Sequence, residues 1–221
     1  MKFLILAIIT IITIMVIPTI WYRLGNILKK KSKDKVVYLT FDDGPSKEYT
    51  NELLDLLSKY NIKATFFVLG EFAKESPSII NRMVNEGHEI GIHAQNHQNQ
   101  MFRGYKFIKN EFEESSKILK ELGVNVRYFR PPWGCFGLFT GYFAKQHGYS
   151  IMLWDVMAGD WSAKNTSGDI RDILLKKIKG KKIVCLHDGR GEDGAPARTI
   201  EALRQVIPTL QKGGYEFKKG E

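Results

Sequence analysis

From residue 36 to residue 217 the chain alternates between two hydrophobic rhythms. Short runs of β-branched and aromatic residues read as buried strands. They cover Val36–Phe41, Ala64–Leu69, Glu89–Ile92, Arg127–Phe129, Tyr149–Trp154, Lys182–Leu186 and Tyr215–Phe217. Between them apolar residues recur every three or four positions, the spacing of one helical face. The helices so predicted are Thr50–Tyr60, Glu71–Asn85, Tyr105–Leu122, Phe136–His147, Ser167–Ile178 and Ala197–Gln211. In Tyr105–Leu122 the pattern turns Phe112, Ile118, Leu119 and Leu122 inward and leaves Lys and Glu outside. Gly87, Gly123 and Gly148 each stand between a helix and a strand, where helices commonly stop. Strands separated by helices imply mainly parallel pairing through right-handed crossovers. Seven such strands predict an α/β domain built as a distorted or incomplete (β/α) barrel. Its length of about 185 residues is lean beside the roughly 250 of a full eight-unit barrel. An open doubly wound sheet is the alternative.

Residues 3–22 follow neither rhythm and carry no charge. As a helix they would measure about 30 Å, the hydrocarbon thickness of a bilayer. Thr10 and Thr13 can bond back to helix carbonyls, Pro18 lies near the end, and Trp21 and Tyr22 suit the membrane interface. No small-residue cleavage pattern follows, so the segment reads as an uncleaved single-pass anchor rather than a removed signal peptide or a buried core helix. The expected organisation is an anchor over 1–23, a basic linker over 24–35 and one folded domain over 36–221.

Charge sharpens this division. The 221 residues carry a formal net charge of +9, and residues 1–35, with seven Lys/Arg and one Asp, supply +6 of it. The body holds only +3, too little for the concentrated basic footprint of a nucleic-acid binder. The basic stretch instead suits an anionic surface. Hydrophobic residues make up 43% of the chain, enough for a substantial core, and two cysteines, Cys135 and Cys185, give neither a disulfide framework nor a metal-binding spacing.

Chemistry collects where the predicted strands end. The first strand stops at Asp42-Asp43-Gly44-Pro45, two adjacent carboxylates before a forced turn. Neighbouring carboxylates repel, and a bound cation would compensate them. The third strand leads into His93-Ala94-Gln95-Asn96-His97, two imidazoles four residues apart. One carboxylate with two histidines is a common catalytic zinc set. The fourth leads into Arg130-Pro131-Pro132-Trp133-Gly134, a stiff segment carrying a guanidinium able to grip a carboxylate. Asp160-Trp161 follows the fifth, and the sixth ends at His187-Asp188, an imidazole suited to donate a proton near neutrality. His88 and His147 read as structural. Each ending alone also fits a cap, a turn or a surface loop. Together, complementary groups at the same end of successive strands point to a metal-dependent hydrolase.

In Thr40–Pro45, His93–His97, Arg130–Gly134, Asp160-Trp161 and Leu186–Asp188, in that order, the chain resembles the polysaccharide deacetylases, the NodB-homology group of carbohydrate esterases. The match covers roughly residues 36–218. The resemblance implies a distorted (β/α) barrel that removes N-acetyl groups from amino sugars in peptidoglycan, chitin or related glycans. It implies that Asp42 is the general base and that Asp43, His93 and His97 hold one divalent ion, zinc first and cobalt second. Arg130 would pair with Asp42, and Asp160 would support His187 as general acid. The backbone N–H of Trp133 would bind the oxyanion, while Trp161 and Leu186 would line the acetyl pocket. Ala94 stands where the family usually has Ser or Thr, Trp133 where it often has Tyr, and Met157 where it often has an acid.

A glycan substrate implies a domain outside the cell membrane, attached through residues 3–22 and working as a monomer. The positive-inside rule taken literally would place it in the cytoplasm; the substrate decides for the outside. Two rivals are a non-catalytic glycan-binding or scaffold protein on the same fold, and a deacylase of another small amide. The complete set of acid, base and ligand residues argues against the first.

Overall fold

The computed structural model describes residues 2–28 and 32–220. Lys29, Lys30 and Lys31 of the expected basic linker lie outside the described residues.

The first element is a single helix, α1 (Lys2–Leu28), which continues past the expected end of the apolar segment. Thr10 and Thr13 donate to the carbonyls of Leu6 and Ile9, so their hydroxyls are satisfied within the helix. The stretch Ile9–Leu28, with a mean hydropathy of 1.5, is long and apolar enough to cross a membrane.

Seven strands form one parallel path in the order β5-β4-β3-β2-β1-β7-β6, and an eighth, β8, pairs with the start of β1. The strands are β1 (Val36–Asp42), β2 (Thr65–Val68), β3 (Glu89–Ile92), β4 (Tyr128–Phe129), β5 (Ser150–Ile151), β6 (Val156–Met157), β7 (Lys182–His187) and β8 (Glu216–Phe217). Among the described residues no pairing joins β5 to β6, so the sheet is a half-barrel, the incomplete closure expected from the short chain. Helices α2 (Thr50–Lys59), α3 (Gly70–Glu75), α4 (Pro77–Asn85), α5 (Tyr105–Glu121), α6 (Thr140–Gln146), α7 (Ser167–Lys177) and α8 (Ala195–Lys212) join the strands. Leu53, Leu54, Leu56 and Leu57 of α2, Ile108, Phe112 and Leu119 of α5 and Leu203, Val206 and Ile207 of α8 pack with Val37, Leu39 and Phe41 of β1 in the main core. In α5, Ile118 and Leu122 lie at the edge of this core, partly buried.

Two predicted elements break, each for a visible reason. The helix expected over 71–85 divides at Ser76, because Pro77 opens α4 and its ring cannot continue α3. The strand expected over 149–154 keeps only Ser150–Ile151. The carbonyls of Met152 and Leu153 leave the ladder to accept from the Arg130 guanidinium. The chain rejoins the sheet as β6, beside β7.

β1 is the axis of the arrangement. It pairs with β2 on one side and β7 on the other, and Asp42 is in register with Phe67 and His187. Every strand runs the same way, so the tips of β1, β3, β4 and β7 gather at one end of the sheet.

Candidate active site

Asp42 and His187 arrive at this end as register partners on adjacent strands. Alternation along β7 turns Cys185 and His187 to one face and Leu186 to the other. The face carrying His187 opens on a cavity of about 560 Å³. Asp42, Asp43, His93, His97 and His187 line it, and Trp133, Trp154 and Trp161 wall it. Leu186, expected as a pocket wall, is fully buried in the main core and does not line this cavity; Cys185 takes the position on the strand face.

Three clusters divide the chemistry. In the first, Arg130 is completely buried and its Nη1 donates to Asp42 Oδ1 at 2.6 Å and to Thr40 Oγ1 at 2.7 Å. Its Nε and Nη2 donate to the carbonyls of Met152 and Leu153, and its plane lies 4.0 Å from the Phe67 ring centroid. Such a guanidinium is held from every side, so the carboxylate it grips has a fixed direction. The other oxygen of Asp42 accepts from the Cys185 thiol at 3.3 Å.

In the second, Asp160 is fully buried behind His187. One carboxylate oxygen meets His187 Nδ1 at 3.1 Å; the other accepts from the His187 backbone N–H at 2.8 Å and from Thr199 Oγ1 at 3.0 Å. Burial alone would lower the His187 pKa, but the charge and hydrogen bond of Asp160, then the charges of Asp42 and Asp43, raise it to about 9. The imidazole is therefore protonated at neutral pH and has a proton to give. Trp161 packs edge-on against it, with ring centroids 5.3 Å apart.

In the third, Asp43 Oδ1 lies 3.3 Å from His93 Nε2 and 3.1 Å from His97 Nε2. His93 Nδ1 sits 2.7 Å from the Arg130 carbonyl, which only accepts, so Nδ1 carries a proton and Nε2 is the ring nitrogen that faces Asp43. Burial, opposed by the Asp43 charge, lowers His97 to about 4, so this ring is neutral at pH 7. Burial works against ionisation of Asp43, but His93, His97 and His187 together hold its carboxyl well below the usual range. Buried Asp43 Oδ1 has no hydrogen-bond partner among the described residues. An anionic oxygen facing two imidazole nitrogens is a donor set that fits a divalent cation. Asp42, Cys185 and His187 also bring ligand-type atoms within 4.8 Å of one another. That group is already occupied by protons and by Arg130: His187 is protonated, and burial pushes the Cys185 thiol well above its ordinary value.

Backbone strain gathers at the same place. Asp43 (φ 70), Ala94 (φ 81), His97 (φ 41) and Trp133 (φ 55) occupy the left-handed region, which non-glycine residues rarely enter. Gly44 is required next to Asp43, because a Cβ there would collide with the buried Asp188 carboxylate. Thr50 Oγ1 donates to that carboxylate at 2.6 Å and accepts from the Ser46 N–H at 2.7 Å, tying the loop after β1 to the loop after β7. Around Ala94, the N–H groups of Gly70 and Glu71 donate to the carbonyls of Ala94 and Gln95, and Glu111 accepts from the Gln95 N–H. Neighbours in α3 and α5 thus hold the loop where a Ser or Thr hydroxyl is missing. Glu111 was not foreseen, because an acid on the outer rhythm of a helix normally reads as solvated. Trp154, Arg190, Arg23 and Asn26 also line the cavity unforeseen; Arg190 alone had a signal, three residues beyond His187 in a loop.

Residues 29–152 match the family model for polysaccharide deacetylase. The chain belongs to the polysaccharide deacetylase family. A peptidoglycan-N-acetylglucosamine deacetylase of Bacillus cereus is 34% identical over 188 residues, covering 84% of this chain and 86% of the relative. A family 4 acetyl xylan esterase from Clostridium thermocellum, solved with a cobalt ion, superposes with a TM-score of 0.76 at 34% identity, covering 84% of this chain and 88% of that one. A family 4 pseudoenzyme from Bacillus anthracis superposes equally well, with a TM-score of 0.76 at 26% identity, covering 84% and 64%. Membership therefore fixes the fold and the family, while activity has to be judged from the side chains at the site.

Proposed function

We propose that this polysaccharide deacetylase is a divalent-metal-dependent enzyme that removes N-acetyl groups from N-acetylglucosamine-type residues of a cell-wall or extracellular glycan. One observation carries the reading. A metal-type donor set faces a carboxylate held by arginine and an imidazole kept protonated by aspartate, all across one cavity. A scaffold protein has no use for all three.

The residues divide the work of amide hydrolysis. Asp42 accepts a proton from the attacking water as its oxygen bonds to the acetyl carbon. The Trp133 N–H stabilises the developing oxyanion. His187 gives its proton to the sugar nitrogen as the carbon–nitrogen bond breaks, leaving acetate and a free amine. Asp43, His93 and His97 would hold a divalent ion, zinc before cobalt, which when bound supplies Lewis acidity at the carbonyl and lowers the pKa of a coordinated water. Trp161 walls the space for the acetyl methyl group. The chain acts as a monomer attached to the membrane through residues 3–22, with the catalytic domain outside.

The test is acetate release by the full chain in detergent, with and without added zinc, from peptidoglycan, chitin oligomers, a glucosamine polymer and O-acetylated xylan. Zinc-dependent release from an N-acetylated glycan is expected. Release from the xylan alone would make it an esterase, and release from none would make it a non-catalytic member. Protease treatment of intact cells checks the location; full protection would place the domain inside.

A further inference from the structure

The C-terminal half of α1 does not stand clear of the folded body. Thr19, Tyr22, Arg23 and Asn26, spaced as one helical face, all touch it. Thr19 Oγ1 is buried, accepting from the Phe136 N–H at 2.8 Å and donating to the Phe136 carbonyl at 3.2 Å. Tyr22 stacks on the Phe136 ring with centroids 4.3 Å apart. Arg23 Nη2 donates to the Trp133 carbonyl at 2.7 Å and its Nε to the Gly134 carbonyl at 3.3 Å. Asn26 Nδ2 donates to the Trp154 carbonyl at 3.0 Å. Arg23 and Asn26 also line the catalytic cavity.

The place they hold is the strained one. Trp133 and Gly134 are consecutive left-handed residues, φ 55 and φ 61, and at Trp133 the side chain makes that conformation costly. Two prolines fix the approach from one side. From the other, one guanidinium spans the carbonyls of both residues. Gly134 is pressed against Trp154, whose ring would lie 2.8 Å from any Cβ there, and Asn26 holds the Trp154 backbone in turn. The loop that presents the Trp133 N–H is therefore clamped by the helix that carries the apolar segment.

We infer that α1 is part of the catalytic cleft and that Arg23 is a positioning residue for the reaction, holding the Trp133–Gly134 turn in the conformation its oxyanion role needs. This rests on the deacetylase reading above. A displacement of about 1 Å at such a donor costs on the order of a hundredfold in rate. Because the donor acts on charge that develops in the transition state, the loss falls on kcat and leaves KM unchanged.

The experiment uses the full chain in detergent, zinc-loaded and labelled with 5-fluorotryptophan, with an N-acetylglucosamine pentamer as substrate. Its four tryptophans give four fluorine lines, and Trp133→Phe identifies one of them. Arg23→Ala is expected to move or broaden the Trp133 line and lower kcat ten- to a hundredfold at unchanged KM. Arg23→Lys, a single point donor in place of a fork, is expected to recover part of the loss. Thr19→Val, which loosens the docked helix without touching the cavity, should shift the same line and lower kcat less. An unmoved Trp133 line in Arg23→Ala, or a kcat within twofold of the parent, would overturn the inference. If the parent chain releases no acetate, the functional reading has failed, and the fluorine spectra still decide whether Arg23 sets the turn.

Discussion

Arg130 Nη1 donates to Asp42 Oδ1 across 2.6 Å, and both side chains are buried, Asp42 alone meeting the cavity. The pair couples the tip of β1 to the segment after β4, and the same guanidinium takes two carbonyls out of the β5 ladder. One residue thus aims the base and shapes the edge of the sheet.

Removing that cation leaves a buried carboxylate and two buried carbonyls without their donor. Arg130→Met is expected to lose about 3–5 kcal/mol of stability, the range for breaking a buried ion pair from one side. Asp42→Asn in the same background should return part of it, since the stranded charge is gone. Urea denaturation of the two single variants and the double variant measures the coupling. A single Arg130→Met variant within about 1 kcal/mol of the parent would show that water or a neighbour replaces the guanidinium.

The His187–Asp160 pair makes stability and rate depend on alkaline pH. His187 rises from 6.5 to about 9 on folding, so its contribution is fully present below pH 6.5 and is lost as pH climbs through about 9. Activity that needs its proton should fall over the same upper range. Asp160→Asn removes the leading cause of the shift, so the alkaline limb of the rate profile should move toward neutrality and the urea midpoint should vary less between pH 6.5 and 9. Replacing His187 by Ala should cost roughly 10²–10⁴-fold in rate at every pH. An alkaline limb unmoved in Asp160→Asn would assign that proton to another group.

How much of this could be read in the chain depended on whether a signal was local. Asp42, His93 and His187 announce themselves because each ends a buried strand, and parallel strands must bring such ends together. Asp160 and Arg130 were legible as types of residue, but their burial behind the reacting groups was not. The split between β5 and β6 was hidden because its cause, the Arg130 guanidinium, lies 22 residues from Met152. Leu186 was expected in the pocket from the family resemblance alone, whereas alternation along β7 turns it into the core and turns Cys185 to the cavity. The docking of α1 was invisible for a related reason: an apolar helix signals membrane so strongly that Thr19, Arg23 and Asn26 read as its margin.

Metal binding should register in stability independently of turnover. Zinc at a hundredfold excess over its Kd stabilises the state that binds it by about 2.7 kcal/mol. Excess chelator should reverse that gain and abolish acetate release, and zinc or cobalt should restore both. Asp43→Asn removes the anionic member of the donor set, so its melting temperature should not respond to zinc. A zinc response preserved in Asp43→Asn would move the ion to other ligands.

Cys185 tests the cavity wall. Its thiol lies 3.3 Å from Asp42 Oδ2, on the strand face that also carries His187. Burial drives its pKa well above the ordinary thiol value, and the residue is 1% exposed. At pH 8 it is therefore a neutral donor, and thiol reagents should label half-exposed Cys135 in the native chain and reach Cys185 only after denaturation. Cys185→Ser keeps a donor to Asp42 and should stay within about twofold of the parent rate. Cys185→Val fills a similar volume without one, so it should lose up to about fivefold, the scale of one hydrogen bond of about 1 kcal/mol. Equal rates in the Ser and Val variants would mean that the thiol only fills space, and native labelling of Cys185 as fast as Cys135 would mean that the cavity opens the thiol to the reagent.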